Sequence, residues 1–204
     1  MTDKSLTVFL EELSSGAPVP GGGGASALMG ALSASLCSMV ANLTTGKKKY
    51  AEYQEDIERI LETSAGYRDD MADLIKKDAE VFEPLSKAYS IPKEQEGRDE
   101  ILEAALKTAA QAPYEMVIKA HEISLLIEEL AVKGSRLAIS DVGVAAAACR
   151  AAATGAAMNV YINTKLMKDR AFAEELNRKT EGLVKEVSLR CDEAYNKVLG
   201  GLKA

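Results

Sequence analysis

From residue 17 to residue 50 the chain reads A-P-V-P-G-G-G-G-A-S-A-L-M-G-A-L-S-A-S-L-C-S-M-V-A-N-L-T-T-G-K-K-K-Y. Pro18 and Pro20 pin φ, and Gly21, Gly22, Gly23 and Gly24 admit left-handed or strained backbone at no Cβ cost. An uncharged run of small and apolar residues follows and lasts until Lys47. Gly24, Ala27, Gly30, Ala31, Ala34 and Ser38 recur at steps of three and four, so one helical face is small enough for a close helix–helix approach. The spacing predicts a helix to about Thr45, with Gly46 as its C-terminal cap. A glycine loop feeding a helix presents free N–H groups at the positive end of the helix dipole, where an anion can bind. A flexible linker is the plainer reading of four glycines. The loop is not a Walker loop, since no Lys-Ser or Lys-Thr follows its last glycine. It is not a dinucleotide fingerprint, since no strand precedes it and the glycine spacing differs.

The rest of the chain reads as helix. Ser5 can cap a short helix carrying Leu6, Phe9, Leu10 and Leu13. A long helix is expected over residues 50–89, with Tyr53, Ile57, Ile60, Leu61, Ser64, Met71, Leu74, Ile75, Val81, Phe82 and Leu85 on its apolar face. A polar loop at 90–97 leads to a helix over 98–111, and Pro113 opens the next, which Lys133 and Gly134 stop. Ser140 or Asp141 caps an alanine-rich helix through about Met158; residues 161–169 look irregular; an amphipathic helix covers 171–199. Two small-residue helices, the glycine-led one and the alanine-rich one, are expected to pack closely and bring their N-terminal loops together. No segment alternates like a strand and no fixed-period repeat appears. The expectation is therefore all-α, a multihelical bundle with long antiparallel helices, forming one domain over 1–204.

Composition narrows the function. Hydrophobic content of 47% supports a core, whereas 5% aromatics and no Trp suit close-packed helices better than sheets. Twenty-five basic against 31 acidic residues leave a net charge of −6, which argues against nucleic acid as partner. The N-terminal M-T-D-K-S-L has no apolar core of a signal peptide. The uncharged run is broken by Pro, Gly and hydroxyl residues, so it reads as a buried helix rather than a membrane span. Cys37, Cys149 and Cys191 form no CxxC pair, and free thiols in a reducing cytoplasm are expected.

Asp78 is the residue most open to chemistry. It follows Leu74 by four and Ile75 by three, and precedes Val81 by three and Phe82 by four, so a helix projects its carboxylate from the apolar stripe. Burial raises a carboxyl pKa and suits a general acid/base near neutrality; the alternative is an edge residue paired with a neighbouring lysine. Lys47, Lys48 and Lys49 either neutralise a helix C-terminus or seat an anion. Ser140 and Asp141 are helix caps, and Asn159 and Asn163, four apart, share a helical face or cap a helix end. His121 is the only histidine and has no companion at ligand spacing, so it reads as structural and no metal site is expected.

P-G-G-G, the small-residue helix and L-T-T-G-K-K-K-Y, in this order, resemble the cyclodeaminase/cyclohydrolase family of tetrahydrofolate enzymes. That family includes the cyclodeaminase domain of formiminotransferase-cyclodeaminase and free-standing bacterial methenyltetrahydrofolate cyclohydrolases. D-A-x-x-F at Asp78, Ala79 and Phe82, S-D-V-G-V-A-A at 140–146 and G-A-A-M-N-V-Y-I-N at 155–163 extend the resemblance over most of residues 17–163. Gly24 replaces the serine of the usual P-G-G-G-S, and Ser26 stands two places on. The resemblance implies a homodimer that binds a tetrahydrofolate derivative, with one glutamate or several. Asp78 would be the acid/base, and Pro20, Gly21, Gly22, Gly23, Ser26, Lys47, Lys48, Lys49, Ser140, Asp141, Asn159 and Asn163 would bind substrate, Asp141 toward the pterin and the lysines toward the glutamate carboxylates. The implied reaction is hydrolysis of 5,10-methenyltetrahydrofolate to 10-formyltetrahydrofolate and its reverse, without metal or cofactor beyond the folate. Ammonia-releasing closure of 5-formiminotetrahydrofolate is the alternative, and a non-catalytic folate-binding helical protein is the alternative of another class.

Overall fold

Each small residue of the glycine-led helix removes an obstacle to a neighbouring helix, and the bundle is assembled on that helix. The computed structural model describes residues 5–204. Among these, seven α-helices and two 3-10 turns account for the regular structure: α1 (Leu6–Leu13), α2 (Gly22–Asn42), α3 (Gln54–Tyr89), α4 (Arg98–Ala109), α5 (Gln111–Lys133), α6 (Ile139–Leu166) and α7 (Arg170–Lys203), with 3-10 turns at Lys48–Tyr53 and Arg136–Ala138. Ser5 caps α1 by accepting from the Val8 N–H at 3.3 Å, and Asp169 caps α7 by accepting from Phe172 N–H at 3.1 Å.

Helices α2 and α6 run antiparallel in close register. A Cβ on Gly22 would meet the Asn159 amide, and one on Gly155 would meet Ser26 Oγ. Further along, the Ser33 hydroxyl donates to the Ala145 carbonyl at 2.8 Å, and Ser135 N–H donates to Thr44 Oγ1 at 2.8 Å. Ala27, Ala34, Ala41, Ala146, Ala153 and Ala156 are fully buried between these helices and their neighbours. This register corrects one expectation: because the pair is antiparallel, the N-termini of α2 and α6 lie at its opposite ends. By length and composition α2 and the segment Arg136–Leu166 could each cross a membrane, yet 56% and 50% of their apolar windows are buried in the bundle.

Boundaries differ from the expected ones chiefly at the end of α2, the start of α3 and both ends of α6. Helix α2 stops at Asn42 rather than Thr45. Thr44 bonds the Val40 carbonyl and the α5–α6 connection, and Gly46 turns the chain at φ 70°. Residues 48–53 then form a 3-10 turn before α3. Helix α6 begins at Ile139 with no side-chain cap, so Ser140 and Asp141 sit in its first turn. It also continues to Leu166, through residues expected to be irregular. Asn159 donates to the Gly155 carbonyl at 2.9 Å and Asn163 to the Asn159 carbonyl at 2.8 Å, so each returns one donor to the backbone of its own helix. Val160 and Thr164 are buried, and Thr164 bonds Asn177 on α7.

Two buried clusters result. The larger joins α2, α3, α5, α6 and α7 around residues such as Ile57, Met71, Ile123 and Ile127. The smaller gathers Leu85, Leu106, Ala110, Met167 and Ala173, with Phe82 against it. Asp78 stands on α3 between Ile75 of the first and Phe82 of the second. Helix α3 also reaches α2 closely at Gly30, where an added Cβ would lie 2.5 Å from Met71 Cε and 2.8 Å from its sulfur. Gly66, on the same α3, has nothing within 4 Å of such a Cβ. Gly30→Ala is expected to destabilise the protein, because overpacking costs about 1–3 kcal/mol against a helix-propensity gain of at most about 1 kcal/mol. Gly66→Ala should gain roughly 0.5–1 kcal/mol. Thermal melts of the two variants should move in opposite directions.

Candidate active site

The seam between the two clusters opens into a cavity of ≈ 140 Å³. Pro18, Val19 and Gly21 form one wall, Val81 and Phe82 of α3 another, and Ala109 and Pro113 at the α4–α5 joint a third. Asn159, Ile162 and Asn163 of α6 close the fourth side. Among these lining residues Asp78 is the only ionisable one, and Gly22 and Gly23 complete the lining beside it. The Val19–Pro20 bond before the glycines is cis.

Glycine here supplies space rather than unusual dihedrals. Among the described residues only Gly46 and Gly97 take positive φ, so the glycine run does not use the left-handed freedom that its composition permits. Gly21 is the extended N-cap and Gly22 begins α2. A Cβ on Gly23 would fall inside the Asp78 carboxylate, and one on Gly22 would stand 3.3 Å from Asn159 Nδ2. Gly23 is therefore required for the close approach of α3 to the start of α2, and Gly22 leaves the room that the Asn159 side chain of α6 uses. The amide of Gly24 hydrogen-bonds the Asp78 carboxyl. It is one of the four N–H groups that a helix leaves free at its start.

Burial raises the Asp78 pKa from 3.8 to about 6, and the Gly24 hydrogen bond opposes it only in part. No cation lines the cavity to reverse the desolvation. A carboxyl ionising near 6 holds and releases a proton close to neutrality, as general acid/base work requires. The free amides at the α2 N-terminus can donate to a developing negative oxygen. The Asn159 and Asn163 amides add uncharged polar groups on the opposite wall.

The expected site residues divide into two groups. Asp78, Gly21, Gly22, Gly23, Asn159 and Asn163 share the cavity. Pro20 is buried beneath it, in reach of Gly24. Ser26 does not reach the cavity: it is 1% exposed and its hydroxyl donates to the Gly22 carbonyl at 2.7 Å, bracing the first turn of α2. Lys47, Lys48, Lys49, Ser140 and Asp141 lie at the far end of the α2–α6 pair. Helix α2 has 21 residues, so that end is about 30 Å away in the same chain. There Lys47 Nζ contacts Ser135 Oγ at 3.3 Å, Lys49 sits 5.7 Å from the Tyr50 ring centroid, and Tyr50 accepts the Arg136 N–H at 2.9 Å. That amide, Ser135 and the lysines hold the Tyr50 pKa below its ordinary value. His121 is paired with Glu186 at 2.8 Å between α5 and α7, away from both groups.

Sequence reasoning missed the walls at Pro18, Val19, Ala109 and Ile162, which carry no chemical signature. Pro113 was expected only to open a helix.

The Asp78 shift has a consequence for stability. Its folded pKa lies above the unfolded value, so between about pH 4 and 6 the folded chain keeps a proton that the unfolded chain has lost. Stability contributed by this group therefore falls as pH rises through that window, and the ionised carboxylate costs about 1–3 kcal/mol above it. Asp78→Asn should melt higher than the unaltered protein at about pH 7.5, with the gap closing toward about pH 4. Equal melting differences at both pH values would contradict the buried ionisation.

The chain is similar to known proteins over nearly its whole length. The formiminotransferase-cyclodeaminase family model matches residues 5–182. The chain is 42% identical over 200 residues to a methenyltetrahydrofolate cyclohydrolase of Methylorubrum extorquens, covering 96% of each. It is 29% identical to the formimidoyltransferase-cyclodeaminase of Rattus norvegicus, spanning 38% of that longer protein. The crystal structure of formiminotetrahydrofolate cyclodeaminase from Thermotoga maritima superposes with a TM-score of 0.85 at 32% identity, covering 97% of this chain and 98% of that one. An all-helical bundle with a glycine-led helix set against a half-buried aspartate, matched over most of its length, belongs to the formiminotransferase-cyclodeaminase family.

Proposed function

We propose that the protein is a methenyltetrahydrofolate cyclohydrolase, opening the methenyl bridge of 5,10-methenyltetrahydrofolate to 10-formyltetrahydrofolate and catalysing the reverse. The observation that carries this reading is the Asp78 carboxyl, raised to about 6 by burial and facing the free amides of α2. Hydrolysis needs one proton removed from water as it attacks the cationic bridge carbon. It then needs one proton delivered to N5 as the carbon–N5 bond breaks, while the hydroxyl proton of the tetrahedral adduct leaves to solvent as the formyl C=O forms. A single carboxyl near neutrality serves both steps, first as base and then as acid. The Methylorubrum extorquens relative, matched over nearly its whole length, supports the same assignment. In this reading the enzyme works in a reducing cytoplasm, with no metal or cofactor beyond the folate.

Ring closure of 5-formiminotetrahydrofolate with loss of ammonia is the second reading, favoured by the Thermotoga maritima match. It passes through the same tetrahedral carbon between two nitrogens. Methenyl absorbance separates the two, falling on hydrolysis and rising on deamination.

The reading includes a homodimer. Leu32 and Met39 on α2, with Val144, Met158 and Ile162 on α6, form an outward apolar face, 38–61% exposed. Ile162 also lines the cavity, so the face runs to the site. A second copy packed antiparallel across it would bring its own Lys47, Lys48, Lys49 and Asp141 beside this cavity. The 30 Å separation within one chain then becomes proximity between two, and the lysines can reach the glutamate tail of a folate bound next to Asp78.

Asp78→Asn should fold and lose about 10²–10⁴-fold in turnover; a near-normal rate would remove Asp78 from the mechanism. Changing Lys47, Lys48 and Lys49 together to Gln should raise KM, most for polyglutamylated folate, and leave kcat nearly unchanged. Hybrids pairing an Asp78→Asn copy with a triple-Gln copy should retain low KM in half of the active sites at most. Hybrid activity only at the raised KM of the triple-Gln protein would refute sharing across copies.

A further inference from the structure

Among the described residues lining its cavity Asp78 stands alone as an ionisable group, and the elements packed around it present uncharged groups. The first turn of α2 offers Gly22, Gly23, Gly24 and Ala25, with Pro20 and, from α1, Phe9 behind Gly24. Helix α6 presents Asn159, Ile162 and Asn163, and the α4–α5 joint Ala109 and Pro113. Charged side chains flanking these walls are matched to one another. Lys76 and Lys77 of α3 pair with Glu80 at 3.7 Å and Glu115 at 2.6 Å, Lys87 with Glu83 at 2.7 Å, and Lys107 of α4 with Asp169 at 2.6 Å. Tyr114 of α5 lines a separate cavity beside Lys107, and Lys165 of α6 is exposed and outside the lining. Asp78 receives a hydrogen bond from the Gly24 amide and no counter-charge from the described walls.

A desolvated carboxylate of this kind is relieved in two ways, by a proton or by a cation brought into the cavity. One-carbon folates differ in what they bring. The bridge of 5,10-methenyltetrahydrofolate is an amidinium whose positive charge is shared by N5, the bridge carbon and N10. Those nitrogens carry no hydrogen, so the bridge offers charge and no N–H donor. Protonated 5-formiminotetrahydrofolate is an amidinium too, whereas 10-formyltetrahydrofolate is neutral at the same place. The amides at the start of α2 oppose a cation, but a helix end amounts to about half a charge, against the whole charge of a carboxylate.

We propose, resting on the function proposed above, that Asp78 sorts folates by charge: the site takes amidinium folates against an ionised Asp78 and neutral folates against a protonated one. Hydrolysis converts the first class into the second. In solution the methenyl cation and water give the neutral formyl compound and one free proton: a carbon–oxygen bond forms, the carbon–N5 bond breaks, and N5 gains a hydrogen. In the cavity, loss of the cation strands the carboxylate, which takes up one proton to match the one released. Methenyl with carboxylate and formyl with carboxyl then carry the same net charge, so the bound interconversion consumes water and releases no net proton. Burial alone already places this carboxyl at about 6. A cation beside it lowers that value and a neutral ligand that displaces water raises it, so between about pH 5 and 6 the two complexes differ by one proton.

The test compares the methenyl-to-formyl ratio, read from methenyl absorbance at equilibrium, with the full-length protein in trace amount and in saturating excess over 5,10-methenyltetrahydrofolate. With trace protein the ratio is that of free folate and falls about tenfold from about pH 5 to 6, since one proton is released. With excess protein it should change by less than about threefold over the same interval, because Asp78 holds that proton. Excess Asp78→Asn, equilibrated by a trace of unaltered enzyme, should restore the tenfold dependence. A tenfold dependence with excess unaltered protein overturns the proposal, and so does a compressed one that survives in Asp78→Asn, since another group would then hold the proton. If trace protein fails to speed the interconversion at all, the proposed function itself fails and this inference falls with it. The two unaltered arms decide the question even if the variant binds no folate.

Discussion

No side chain can stand at position 23 while Asp78 occupies its place. That exclusion governs the site. Because Gly23 has no Cβ, α3 can bring a carboxylate against the backbone of the first turn of α2. Because the carboxylate is there, water is displaced from it and its proton affinity rises. The surroundings follow: Gly22 leaves room for Asn159, Ser26 braces the turn through the Gly22 carbonyl, and Gly155 leaves room for Ser26. A chain of missing side chains places three helices around one ionisable group, and the desolvation that results is a stability cost tolerated for reactivity.

Much of this was legible in the sequence, for physical reasons specific to each residue. The Asp78 position emerged because a helix makes i±3 and i±4 neighbours predictable, and its neighbours there are all apolar. The small-residue stripe of α2 was readable because close packing needs small residues at that period. The dihedrals of the glycines were not readable, since a glycine needed for space and one needed for positive φ look identical in sequence. The direction of α6 relative to α2 was equally hidden. A small face states that a helix will be approached closely and says nothing about whether the partner runs up or down. For that reason Lys47 and Asp141, placed near the cavity on motif order, lie at the other end.

The end of α6 was missed for a related reason. Residues 161–169 looked irregular and Asn159 and Asn163 could cap a helix end, since such side chains compete for backbone hydrogen bonds. In the folded chain Asn159 and Asn163 bond carbonyls of their own helix, while Thr164 finds Asn177. Burial of Val160 and Thr164, with the bond from Thr164 to Asn177 on α7, outweighs the local preference. Sequence pattern reports local energetics well, but where a helix ends is settled by what packs on it.

The paired register of α2 and α6 acts as a ruler. Ser33 is tied to Ala145 at mid-helix, and Asn159 faces Gly22 at the cavity. From 145 to 159 is 14 residues, which at about 3.6 per turn is close to four whole turns. One inserted or deleted residue in that span would rotate Asn159 by about 100° and carry it off the cavity wall, even if every residue kept its identity. Length changes in this lineage should therefore collect in the connection at 90–97, which no such phase constrains, and be absent from the span 145–159.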